Sequence, residues 1–184
     1  MNDGSQRGLD KVRLLACLIL LNPIWPFAAS AAESKPETYL IEYRAFRPSL
    51  YFTGNEGPEI ATFTAVQSEP EWRKLWAALE PRLRGDMRQN APHPFPRIDF
   101  TRKTLLVAAL GTKPTGGYSL SVESITESPT SITAKLVALN PGKGCGDKIY
   151  GLTLITTHPI VLLLIAKTSK PVQFETMQVE PACD

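Results

Sequence analysis

The chain is poor in metal-holding residues: it has two histidines and three cysteines among 184 residues. Only His93 and His158 could join the cysteines, and neither stands at a ligand spacing from them, so neither a metal nor another cofactor is expected. An excess of one charge is lacking too. Lys and Arg number 20 against 18 Asp and Glu, and a balance this close supplies no basic stripe for nucleic acid. No apolar run reaches the roughly 18 to 20 residues that a membrane-spanning helix needs. The run at residues 14–21 is followed by Asn22, Pro23 and Pro26. Internal repeats and low-complexity blocks are absent as well.

What stands at the start is a secretory signal. Arg7, Lys11 and Arg13 precede the apolar run, and Ala28, Ala29, Ser30, Ala31 and Ala32 close it with the small residues a signal peptidase accepts. Cleavage is expected after Ala31 or Ala32. Residues 1–31 then form the signal, 32–37 a flexible leader, and 38–184 a single domain, placed in the periplasm or secreted from a bacterial envelope. Leu14-Leu15-Ala16-Cys17 has the outline of a lipoprotein box, but its apolar stretch follows the cysteine instead of preceding it. No lipid anchor at Cys17 is expected, and contact with the membrane comes only through export.

Export removes Arg7, Lys11 and Arg13 together with Asp3 and Asp10, which leaves 17 basic and 16 acidic residues and a net charge of +1. A mature chain of about 150 residues is long enough for one real hydrophobic core. Cys17 leaves with the signal, so Cys145 and Cys183 remain, and in an oxidising compartment they read as one disulfide. The alternative is two free thiols. A bridge of this span would contribute roughly 4 kcal/mol in the chain-entropy model.

The hydropathy pattern is that of a mainly β domain. Tyr39, Ile41, Tyr43 and Ala45 alternate along one strand face. Further strands are expected at 49–53, 59–67, 105–110, 118–125, 131–139, 152–156, 160–167 and 172–176, with a turn at 54–58. The unbroken apolar run at 105–110 suits a central strand buried on both faces. One helix is expected over 69–83. Ser68 and Glu71 stand at a capping-box spacing, and Trp72, Leu75, Trp76, Leu79 and Leu83 form one apolar stripe, read as core rather than as a binding surface. Pro81 should kink or shorten the last turn. The proline-rich stretch 84–97 reads as a loop. Together these elements predict an antiparallel β-sandwich or barrel-like domain with one amphipathic helix, α+β by content.

The densest local signal is Lys113-Pro114-Thr115-Gly116-Gly117-Tyr118, just after the buried strand and Gly111. Gly116 and Gly117 permit positive φ or close backbone approach, which fits a tight hairpin turn. A phosphate-binding loop is excluded, because the lysine precedes the glycines and no helix follows.

The strand 105–111, the proline-threonine-glycine-glycine-tyrosine turn and the strand after it resemble the PrcB-type protease-complex subunits, in their C-terminal domain. The helix around Trp72 and Trp76, Ile98-Asp99-Phe100, His158-Pro159, Lys167 and residues 171–174 are similar too, so that the resemblance runs over 68–175. It implies an envelope domain without catalytic residues that binds and supports a protease. Lys113, Pro114, Thr115, Gly116, Gly117 and Tyr118 are the candidate contacts with that protein partner. A second likeness is to the chagasin-type inhibitors of cysteine proteases, whose asparagine-proline-threonine-threonine-glycine-tyrosine loop the same six residues echo. It lacks the family's first asparagine, its second threonine and its arginine-proline-aromatic loop. A structural domain without a dedicated partner is the third reading.

Nothing in the residue pattern demands an enzyme. No serine has a nucleophile-elbow setting. His158 precedes a proline between apolar strands, and Asp99 and Asp147 have no carboxylate partner at a useful spacing.

Overall fold

The computed structural model describes residues 37–47, 53–83, 94–141 and 155–180. The chain divides into two units, 1–33 and 34–184, and every described residue belongs to the second. The expected signal segment, Cys145 and Cys183, and most of the strands expected at 49–53 and 152–156 lie outside the described residues; Thr53, Ile155 and Thr156, which are described, are not in strands.

Among the described residues eight strands and one helix follow in the order β1 (Tyr39–Leu40), β2 (Arg44–Ala45), β3 (Thr62–Val66), α1 (Glu69–Leu83), β4 (Lys103–Ala109), β5 (Ser119–Glu127), β6 (Ile132–Leu139), β7 (Ile160–Ala166) and β8 (Val172–Val179). They make two four-stranded sheets, one ordered β1-β5-β6-β8 and the other β2-β7-β4-β3. The expected β-rich sandwich with one helix is what forms. Among the described residues neither sheet closes into a barrel.

β4 explains the layering. Six of its residues, from Thr104 to Ala109, are buried. Leu105, Val107 and Ala109 join Ile160 and Leu162 of β7 under the helix residues Trp72, Trp76 and Leu79. Leu106 points the other way and meets Leu163, Ile165, Ile125, Ile132 and Ala134 between the two sheets. A strand covered on both faces has no polar side to show, hence the unbroken apolar run. The order of layers is helix, sheet, sheet.

The helix spans the expected residues, and its stripe is core: Trp72 is fully buried and Trp76 nearly so. Trp72 donates its indole N–H to the Pro96 carbonyl at 2.7 Å, so the loop after the helix satisfies the one polar atom that burial would otherwise leave unpaired. The capping differs by one residue. Glu71 accepts from the Gln67 N–H at 2.8 Å, not from that of Ser68. The helix also runs through Pro81 to Leu83; the proline neither shortens it nor ends it.

Two topological expectations are corrected. The alternating stretch from Tyr39 to Phe46 is not one strand. Its first part pairs with β5, at Leu40↔Thr126, and its second with β7, at Ala45↔Leu163, so the chain changes sheets at 41–43. The sandwich is also not wholly antiparallel. β6 and β8 run parallel over their whole length, from Ile132↔Val172 to Leu139↔Val179. β7 lies between them in sequence and in the opposite sheet, which returns the chain to the starting end of β6 before β8 begins. Lys170 fixes that return, reaching the Glu127 carboxylate at 2.6 Å and the Ser128 carbonyl at 2.8 Å.

Candidate functional site

At one end of the sandwich three connections meet: 53–61 leading into β3, 110–118 leaving β4, and 155–159 leading into β7. The second contains the glycine-rich signal, and it is not a hairpin. β4 and β5 belong to different sheets, so the segment carries the chain across the sandwich.

Gly111 makes the first bend. Its φ is +71°, and a Cβ there would stand 2.8 Å from both the Ala61 nitrogen and the Glu59 carbonyl oxygen. Only glycine meets both conditions. The chain then ties itself to its neighbours. Thr112 donates its N–H to Glu59 at 2.9 Å, and Lys113 and Thr157 exchange N–H bonds at 2.8 and 3.0 Å. The Thr157 hydroxyl donates to the Thr115 carbonyl at 2.9 Å. Gly117, at φ +85°, makes the second bend. Gly116 has no positive φ among the glycines that do.

The six sequence-predicted contact residues are thus brought together, with unequal access. Pro114 and Gly117 are exposed, while Lys113, Thr115, Gly116 and Tyr118 are half-buried. The Lys113 ammonium lies 5.6 Å from the centre of the Tyr118 ring. Tyr118 itself lines a groove of about 400 Å3 that opens between the sheets beside β5, with Tyr43, Leu120, Val122 and Leu163 among its lining residues. The groove was not legible in the sequence. Its two walls are about 75 residues apart along the chain and meet only because the chain changes sheets at 41–43.

His158 sits at the same end but is held by its backbone. Its carbonyl accepts the Gly57 N–H at 2.8 Å, and a Cβ on Gly57 would meet that oxygen at 2.7 Å. Burial pushes the imidazole below its ordinary value; the nearby Arg82 guanidinium pushes the same way, and Glu59 offsets part of it. The ring is therefore neutral near pH 7, and no described side chain is hydrogen-bonded to it. Asp99 is likewise a turn residue. Its carboxylate accepts the Thr101 hydroxyl and N–H, which hold it below the usual carboxylate range, and it is fully exposed.

Glu56 escaped the sequence reading. It is buried, and its carboxylate accepts from the Thr53 N–H and hydroxyl and from the N–H groups of Gly54 and Asn55. A turn rich in glycine with a glutamate inside it was the available signal. Those donors occupy both oxygens, so Glu56 shapes the turn from which the groove begins. Among the described residues no three His, Cys, Asp or Glu side chains gather as a metal site would need.

Residues 104–146 match the family model described as PrcB C-terminal. The match covers β4, the crossing segment, β5 and β6, and it supports the resemblance to the PrcB-type protease-complex subunits over that narrower part of 68–175. The likeness to chagasin-type inhibitors gains nothing from it. No curated protein matches the chain, and no solved structure does.

Proposed function

We propose, from the PrcB C-terminal pattern carried by β4, β5 and β6, that this protein is an exported, non-catalytic binding domain that associates with an envelope protease or a subunit of its complex. The observation that carries the reading is the place of the matched segment. Residues 104–146 include the crossing turn and the half of β5 that borders the groove. Export rests on the signal-like segment 1–31, with 38–184 as the working domain.

The reading extends to the two mature cysteines. β6 and β8 end side by side at Leu139↔Val179, and Asn140 donates its N–H to the Val179 carbonyl at 2.9 Å. Cys145 and Cys183 follow those two ends within a few residues, and at about 3.3–3.6 Å per extended residue either connection is long enough to close a bridge. A disulfide there would fasten the outermost strand β8 to β6.

The test is capture by the tagged mature protein from its own envelope extract after crosslinking, beside a Tyr118→Ala variant of unchanged melting temperature. A protease or protease-complex subunit enriched by the wild type and lost by the variant is the expected result. Equal capture by the folded variant would remove Tyr118 from the contact. Absence of any such subunit would defeat the protease association.

A further inference from the structure

β1 stays beside β5 for only two residue pairs, Tyr39↔Glu127 and Leu40↔Thr126, followed by one more bond from the Ile41 N–H to the Ile125 carbonyl at 3.0 Å. Beyond that point the chain leaves for the other sheet. The rest of β5, residues 119–124, keeps β6 on one edge and has no described strand on the other. An unpaired edge presents a row of backbone donors and acceptors, which is a template for an added strand. Here the edge runs along the groove, so an added strand would also find apolar walls for alternate side chains.

The charges narrow the occupant. Among the described residues Arg47 is the only charged one lining the groove, and no Asp or Glu lines it. Arg47 lies three positions past the Arg44↔Leu164 pair, which places it towards the Ile160 end of β7. Lys113, on the Tyr118 ring, is tied through Thr157 to that same end. Neither cation has an ion pair among the described residues. Glu56, next to the groove wall at Gly54 and Asn55, has its oxygens taken by backbone and hydroxyl donors.

We infer that the groove receives an extended segment of the partner protein as a strand added to residues 119–124 of β5, with apolar side chains turned between the sheets and an acidic side chain at the Arg47 and Lys113 end. This rests on the binding-domain reading and gives it a mode and a partner chemistry.

The experiment places photoreactive benzoylphenylalanine at Ser121, beside the edge, and separately at Gln173 on β8, in the full chain within the cells that make it. Crosslinked peptides are then sequenced by mass spectrometry. Expected is a Ser121 crosslink to one partner segment carrying Asp or Glu. A synthetic copy of that segment should bind about fivefold less well to Arg47→Glu and to Lys113→Glu, and reversal of its own acid to lysine should restore binding to those variants. Ser121 crosslinks to another segment of this chain, or to a second copy of it, would overturn the inference. So would a partner segment whose binding ignores both charge reversals. Partner crosslinks from Gln173 alone would overturn it while leaving the binding domain intact. No partner from either position, together with empty capture in the Tyr118→Ala comparison, would end both.

Discussion

Along one side of the sandwich β3 and β8 come together through Phe63 and Phe174, whose ring centroids are 5.9 Å apart. Along the other side β1 leaves β5, crosses to become β2 on β7, and a groove remains between the sheets. Both sides end in edge strands, and both carry aromatics. The difference lies in where the aromatics point. Phe63 and Phe174 fill the seam against each other, whereas Tyr43 and Tyr118 stand around a gap. A closed seam serves stability, and an open one keeps apolar surface and backbone groups available to a partner. One sandwich can thus divide these two tasks between its sides.

The comparison can be broken in several places. The largest effect is expected on the closed side, from the proposed bridge. Cys183→Ser should lower stability by up to about 4 kcal/mol, read as a urea midpoint, and should speed hydrogen exchange in β8 more than in β5. Alkylation of the unreduced mature protein should leave its mass unchanged; two added labels would refute the bridge. Next comes the bend that opens the other side. Gly111→Ala places a Cβ 2.8 Å from two backbone atoms in a left-handed residue, and should cost about 3 kcal/mol.

Phe174→Ala empties half of the closed seam. The ring is only partly buried, so a loss of about 2 kcal/mol is expected in thermal or urea unfolding. Partner capture at the groove should be unchanged; a loss of capture at unchanged stability would mean that the two sides are not divided as described.

The smallest effect is one of pH. The folded His158 has its pKa held below the ordinary value of 6.5 by burial and by Arg82. The unfolded chain therefore takes up the proton first as the pH falls. This contribution to stability is complete above about pH 6.5 and declines below it until the folded imidazole also titrates. His158→Gln should flatten that acid-side slope in urea midpoints measured between pH 7.5 and 5. An unchanged slope would assign the pH dependence to other groups, such as Asp99, whose lowered pKa contributes only at more acidic pH.

Much of this was legible along the chain. Trp72, Leu75, Trp76 and Leu79 announced a helix with one buried stripe, because the helical period is local and a stripe of that width must face the core. Residues 105–110 announced a strand with both faces covered, and in the strand expected at 131–139 Ile132, Ala134, Leu136 and Ala138 alternate as the inward row, all of them buried. The glycine-glycine-tyrosine turn pointed to the PrcB-type family before any strand was paired. The local signals misled where a neighbour decided the outcome. The alternation from Tyr39 to Ala45 looked like one strand and is two, and the turn at 111–118 looked like a hairpin and is a crossing, governed by Gly111 more than by Gly116.

The sequence by itself determined the helix and the longer strands and which of their faces turn inward, since both are set by side-chain period and backbone propensity within a few residues. Only the tertiary structure decided which strands lie side by side, that β6 and β8 run parallel, and that no described strand covers the edge of β5 beside Tyr118. Strand pairing is made by backbone N–H and C=O groups, which every non-proline residue carries alike, so the sequence marks the strands without naming their partners.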